Sequence, residues 1–419
     1  LLAAGSGWVV RFNGGDNAGH TIVAEGKKVV LHVMPSGVLQ GKNVAIGPDV
    51  FFNPETFLKD YETVVSSGFR ISGRILIDER AHVIMPYHIA LDAGLESEGN
   101  IKIGTTKRGI GPVAKDRASR TEDITVADIV SPSFRDKLLS VLAAKKEELI
   151  RHKIISGSEE ISSYADRIIA KYSVYAEKIR AFVGSVSYEL NNAMANGSSV
   201  LLEGAQGALL DIVHGTRPFV TSSNTTAGGA FANLGLNPKM FKVIAVAKAY
   251  PTRVGEGPFP TELNDELGRQ IQSEGGEFGA TTGRQRKVGF PDFVALKYSA
   301  MINAVDEWAI TKPDVLAGKR FRAAVAYEKG DERTEQFPFN LEGWKPVYSG
   351  KTYFFEKFTE ADARLMAEKG YAALPEGMKE YIKDLVQYTK VPVSMVSLSP
   401  KREITVVKGV LESTSTYLR

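Results

Sequence analysis

Cysteine is absent from this 419-residue chain. That excludes disulfides, thiolate metal sites and cysteine nucleophiles, and it fits a reducing cytoplasm. No apolar run approaches the roughly 18 residues that span a bilayer. Leu1–Gly7 has neither the charged start nor the long apolar stretch of a secretory signal. There is no long run of Lys and Arg, and the formal net charge is only +3, so neither nucleic acid nor a membrane is an expected partner. What is present is ordinary for a globular protein, with 43% hydrophobic and 24% charged residues. The length would hold two or three average domains, but large α/β enzymes use as much for one. With no internal repeat and no low-complexity linker, a single domain over 1–419 is the simpler expectation.

Short β-rich runs at Lys28–Val33, Ser199–Glu203, Lys242–Val246, Glu307–Thr311 and Val391–Ser397 alternate with helical patterns. The inner runs are apolar on successive residues, as strands buried on both faces are. Phe134–Arg151, Tyr164–Asn196 and Asp292–Asn303 repeat apolar residues at three- and four-residue intervals. This alternation predicts an α/β fold, a large and mainly parallel twisted sheet flanked by helices. A charged helical excursion leaves the sheet at about 132–196. Glycine clusters fall at strand ends, where α/β proteins place ligands.

Five clusters combine flexible backbone with small polar or cationic side chains. Arg11-Phe12-Asn13-Gly14-Gly15-Asp16-Asn17-Ala18-Gly19-His20-Thr21 allows close approach of a ligand and supplies a histidine that exchanges protons near neutrality. A tight turn with a structural histidine is an equal alternative. Gly104-Thr105-Thr106-Lys107-Arg108-Gly109-Ile110-Gly111-Pro112, followed by Arg117 and Arg120, suits a phosphate monoester or is a solvated basic loop. Glu203-Gly204-Ala205-Gln206-Gly207, Asp211, His214-Gly215-Thr216 and Thr221-Ser222-Ser223-Asn224-Thr225-Thr226 place many hydroxyls and amides after a buried strand. Such a set satisfies several phosphate or base oxygens at once, and binding is favoured over a plain polar loop.

The fourth cluster, Thr281-Thr282-Gly283-Arg284-Gln285-Arg286-Lys287, offers two planar guanidinium forks to a carboxylate or phosphate, or is a surface charge run. The fifth, Thr311-Lys312-Pro313-Asp314, ends a strand. A carboxylate there accepts from guanine N1–H and its 2-amino group together, a donor pair that adenine lacks. An ordinary strand-end turn would look the same.

In this order and at these spacings the clusters resemble the adenylosuccinate synthetase family. The likeness runs through Val9–Val23, Gly104–Arg120, Leu202–Gly229, Ala247–Glu262, Phe278–Gly289 and Trp308–Leu316. The resemblance implies a P-loop-NTPase-like fold and a GTP-dependent ligase. Such an enzyme forms adenylosuccinate from IMP and L-aspartate through 6-phosphoryl-IMP, the first committed step of AMP biosynthesis, with Mg2+. It implies His20 and Gln206 as catalytic residues and the Gly19 carbonyl as a magnesium ligand. Asn17, Ala18, Gly19, His20, Thr106, Arg120, Gln206, Thr221 and Arg284 would bind IMP. Arg120 would reach the site of a neighbouring subunit in a homodimer. Ala280, Thr281, Thr282, Gly283, Arg284 and Arg286 would bind aspartate. Arg286, Lys312, Pro313, Asp314, Ser397, Leu398 and Ser399 would bind GTP.

The chain also departs from the family pattern. A strand and a loop close to Gly-Asp-Glu-Gly-Lys-Gly-Lys, which carries the general-base aspartate, would precede Leu1. Their absence predicts that the chain as written is truncated and inactive. Asp16 stands where histidine is common, Lys107 where many members have glycine, Arg217 for an aromatic and Ser399 for a glycine. Two other readings remain: a non-catalytic nucleotide-binding relative, or a synthetase for another purine nucleotide such as dGMP. The retained His20, Arg284, Arg286 and Asp314 favour the enzyme.

Overall fold

A computed structural model describes residues 1–98, 103–157, 160–279 and 283–407. These fall into two compact units, one built from residues 1–236 and the other from 237–279 and 283 onward.

The first unit is organised by the strand Trp8–Arg11, all four residues of which are buried. It lies between Asn43–Ile46 and Val200–Glu203 in a five-stranded sheet that continues through Ile75–Asp78 to Val183–Gly184. Every pairing is parallel, so the carboxyl ends share one edge, with Arg11 level with Ile46 and Glu203. Val9, Val44, Ile46 and Ile77 form a core with Phe57, Leu138 and Ile168 of the covering helices. The expected strand at Lys28–Val33 is present as Lys27–Leu31, but it pairs antiparallel with His20–Ala24. The turn between them, Glu25-Gly26, has positive φ at both residues, the geometry whose twist suits a two-residue hairpin.

Two helical expectations are corrected. Tyr164–Asn196 is not one helix: Glu160–Ile179 ends in a 3-10 turn, Val183–Gly184 joins the sheet, and Val186–Ala195 starts afresh. Asp78, at the end of its own strand, accepts the Val186 N–H at 3.0 Å, which satisfies a donor that a helix start leaves open. Phe134–Arg151 is likewise divided at Lys145. The buried Lys145 ammonium pairs with Asp116 at 2.5 Å.

The second unit carries a four-stranded sheet in the order Ile244–Lys248, Glu307–Thr311, Val393–Ser397, Thr405–Val407. The first three are parallel and the last is antiparallel. Lys248, Thr311 and Ser397 are in register at the carboxyl edge. Trp308, Ile310 and Val396 pack with Phe293, Phe321, Met378, Tyr381 and Leu385. The architecture is thus mixed α/β with mostly parallel main sheets flanked by helices, the longer parallel strands being divided between two sheets and a short parallel pair, Phe51–Phe52 and His82–Val83, standing apart. Among the described residues no helix is long and apolar enough to cross a membrane.

Candidate functional site

In the first unit a carboxylate, an imidazole and a guanidinium meet where two parallel strands end. Glu203 Oε1 lies 2.7 Å from His20 Nδ1, and the fully buried Arg11 reaches His20 Nε2 at 3.1 Å. Arg11 also donates to the His32 carbonyl at 2.9 Å. The second Glu203 oxygen accepts from the Ser36 N–H and hydroxyl at 2.9 and 2.5 Å. Burial raises the Glu203 carboxyl, but the His20 hydrogen bond and the Arg11 charge outweigh it and hold it at about 2. The imidazole is thus held through both ring nitrogens, Nδ1 by Glu203 and Nε2 by Arg11.

The adjoining loops are fixed through backbone groups. Asn13 accepts from the Ala205 N–H at 3.0 Å and donates to the Ala205 carbonyl at 3.2 Å, clamping the two strand-end loops together. Gln206 donates to Asn17 at 3.2 Å. Gly15 sits so close that a Cβ would lie 2.6 Å from the Phe51 carbonyl and 2.9 Å from Ile110, the residue that opens the helix Ile110–Ser119 after the threonine loop. Asp211 organises the hydroxyl-rich stretch. One oxygen accepts from Val213 and His214 at 2.8 and 3.0 Å, and the other from Thr225 and Thr226 at 2.6 and 3.4 Å. Gln206 Oε1, Thr221 Oγ1 and Ser223 Oγ are buried with no hydrogen-bond partner. Orphaned buried polar atoms are rare, and three on adjoining loops mark a surface shaped for a polar ligand.

In the second unit cations gather at the sheet's carboxyl edge. Lys312 follows Glu307–Thr311 in the left-handed region and opens the turn Pro313–Leu316. Its ammonium donates to Glu277 and to the Gly275 carbonyl at 2.7 and 2.6 Å. Lys248, Tyr250 and Arg286 also donate to Glu277. Burial lowers Lys248 to about 8, with Glu277 opposing and Lys312 and Arg286 adding to the fall. Burial raises the Asp314 carboxyl, partly offset by backbone N–H groups and by Lys312. Beside them Ser397 donates to the Ser399 carbonyl at 3.0 Å, and the buried Leu398 donates its N–H to Ile404 at 3.0 Å.

The sequence-predicted residues therefore fall in separate groups. Asn17, Ala18, Gly19, His20, Gln206 and Thr221 are carried by the first unit, with Thr106 half-buried ahead of its helix and Arg120 exposed as that helix's left-handed cap. Lys312, Pro313, Asp314, Ser397, Leu398 and Ser399 share the second unit's strand edge, and Gly283, Arg284 and Arg286 follow on its loop. Ala280, Thr281 and Thr282 lie outside the described residues. Asp16 holds structure: it accepts from Asn53 and Thr56 at 2.8 and 3.0 Å, at the start of the helix Pro54–Ser66. Glu277 and Lys248 were not singled out in the sequence: Lys248 lies in an apolar strand, and Glu277, although flanked by Gly275, Gly276 and Gly279, has its partners at positions 248, 250, 286 and 312.

No group of three His, Asp or Glu side chains converges as a metal site among the described residues. A cation held by phosphate oxygens, with the Gly19 carbonyl the backbone group expected beside it, would need no such cluster. That donor set fits magnesium, which keeps waters and phosphate ligands in preference to an all-protein cage.

Strand-end loops with orphaned hydroxyls, a carboxylate-held histidine and a cation cluster define an α/β enzyme for phosphorylated polar ligands. A sequence model described as Adenylosuccinate synthetase matches residues 1–406. The adenylosuccinate synthetase of Thermodesulfovibrio yellowstonii is 40% identical over 96% of this chain and 92% of its own length. That of Syntrophotalea carbinolica is 42% identical over 95% and 91%. A solved structure of fully ligated adenylosuccinate synthetase from Plasmodium falciparum superimposes with a TM-score of 0.86 at 31% identity, covering 97% of this chain and 95% of that one. The chain belongs to the adenylosuccinate synthetase family, ligases that convert IMP and aspartate to adenylosuccinate in AMP biosynthesis.

Proposed function

We propose that the enzyme carrying this sequence, with its general-base carboxylate in place, makes adenylosuccinate with GTP as phosphoryl donor and Mg2+ as the nucleotide-borne cation, through 6-phosphoryl-IMP. A general-base carboxylate takes the N1 proton of IMP, the 6-oxygen attacks the γ-phosphorus and GDP leaves. The aspartate amine then adds at C6 and phosphate departs with that oxygen. The observation that carries this reading is the Glu203–His20–Arg11 constellation at the strand ends. Glu203 stabilises an imidazolium on its Nδ1 side. With a phosphoryl oxygen in place of Arg11 at Nε2, His20 takes up a proton from solvent, and its Nε2–H donates to charge that develops on that oxygen.

Gln206 and Asn17 hold the purine, with the orphaned Gln206 Oε1 supporting that role, and Thr221 with Thr106 receives the IMP phosphate. Arg284, Arg286 and the segment at Ala280–Gly283 bind aspartate. Lys312, Pro313, Asp314 and Ser397–Ser399 receive the guanine base, and Asp314 is the acceptor that selects it. Bound magnesium would neutralise phosphate charge beside the Gly19 carbonyl. The reading includes a cytoplasmic homodimer, with Arg120, exposed at its helix cap, reaching the partner's IMP.

Isotopic transfer tests the intermediate. With IMP labelled by 18O at position 6, the released phosphate should carry one label per turnover. Label that stays in the nucleotide or appears as water would contradict the 6-phosphoryl route.

A further inference from the structure

One fully buried carboxylate in the second unit has no role in the reaction as described so far. Glu277 Oε1 accepts from Lys312 Nζ at 2.7 Å, the Tyr250 hydroxyl at 2.8 Å and Lys248 Nζ at 3.0 Å. Its Oε2 accepts from Lys248 Nζ at 2.8 Å and Arg286 Nη1 at 3.0 Å. Its backbone carbonyl also accepts the Arg286 N–H at 2.9 Å. One side chain thus joins the ends of two parallel strands to the arginine loop.

The chemistry of the three cations distinguishes this hub from a plain core ion pair. Lys248, Arg286 and Lys312 each keep a quarter to a third of their side chains exposed, whereas Glu277 keeps none. Each cation is therefore gripped from beneath and shows its other side outward. Arg286 is held through one of its five N–H groups, so most of its fork remains for a ligand. The Lys312 stem is fixed in direction by two bonds from its ammonium, to Glu277 and to Gly275. With the carboxylate removed, three positive groups at hydrogen-bond distance from one point would repel one another and turn away.

We propose that Glu277 is a positioning residue for two substrates at once. Its carboxylate sets the Lys312 stem along which guanine lies and the Arg286 fork that receives a carboxylate or phosphate, and so it couples GTP affinity to aspartate affinity. The inference rests on the guanine and aspartate reading of Lys312, Asp314 and Arg286.

The test varies each substrate in turn with the Glu277→Gln enzyme and measures GDP binding by calorimetry. With Lys312 and Arg286 no longer aimed by a charge-assisted hydrogen bond, the KM for GTP and for aspartate should rise about tenfold each. The KM for IMP should stay within about twofold and the GDP Kd should rise in parallel with that for GTP. Unchanged GTP and aspartate constants, or equal rises for all three substrates, overturn the proposal. If Glu277→Gln does not fold, Tyr250→Phe removes one donor without changing charge. It should raise the same two constants by a smaller factor, and wild-type values there overturn the proposal as well. Wild-type binding of GDP against ADP separates the two layers. A GDP preference with no effect of the Glu277 change sinks this inference alone, and equal binding of GDP and ADP sinks the guanine reading and this inference with it.

Discussion

Glu203 serves His20 with one oxygen and Ser36 with the other, and a buried carboxylate so engaged is strongly acidic. Its folded value of about 2 lies below the ordinary 4.5. A depressed carboxylate stabilises the native state fully above the unfolded value, and that contribution is lost as pH falls from about 4.5 through about 2. The difference corresponds to about 3 kcal/mol at neutral pH. Glu277, also held at about 2 against the burial that raises it, by Lys248 and Lys312, adds to the same acid window. Glu203→Gln should therefore lower urea stability at pH 7 and flatten its fall between about pH 4.5 and about pH 2. Its kcat should drop about 10²-fold, because the imidazolium loses its partner. A variant with the wild-type acid slope and kcat would contradict the role given to Glu203.

Elements differ in how far local sequence determined them. Glu307–Thr311 was legible to the residue, because its apolar run is a buried strand bounded by Asp306 and by Lys312-Pro313. Lys242–Val246 began two residues early, since pairing with the neighbour starts only at Ile244. The break in Tyr164–Asn196 was not legible. Helical spacing continues through Ile179, Val183 and Val186, and what stops the helix is pairing of Val183 and Gly184 with Ile77 and Asp78, about a hundred residues away. The loop after Val200–Glu203 was visible by composition, but its organiser was not. Asp211 fixes four N–H groups across fifteen residues, an arrangement with no fixed sequence spacing. Asp211→Asn keeps the shape but turns an N–H₂ toward donors, and should cost about 2–3 kcal/mol of stability. Because Thr221 donates its N–H to Leu210 within the same loop, the KM for IMP should rise more than that for GTP. Equal stability and an unchanged IMP constant would show that the loop is held by something else.

Across the whole molecule, the residues proposed to face ligands were easier to single out than the roles of the groups that hold them. His20, Gln206, Thr221, Lys312 and Asp314 sit in clusters of glycine and polar residues that a strand end makes conspicuous. Arg11, Glu203 and Asp211 stand in the same clusters, but supporting roles depend on partners that composition does not give: Glu203 draws on positions 20 and 36, and Glu277 on positions 248, 250, 286 and 312. The alternation of strands and helices conveyed a mainly parallel α/β architecture but not its division between two sheets, which depends on which strands pair. Family membership settles the reaction, and the choice of phosphoryl donor is proposed to lie with Asp314. The most direct test is the ratio of kcat/KM for GTP to that for xanthosine triphosphate, in wild type and in Asp314→Asn. Two hydrogen bonds to a charged acceptor contribute about 3 kcal/mol or more, so the variant should lose GTP activity about 100-fold or more. It should gain activity with xanthosine triphosphate, whose 2-oxo group accepts from the new amide. A variant that keeps the wild-type preference for GTP would show that Asp314 does not read the base.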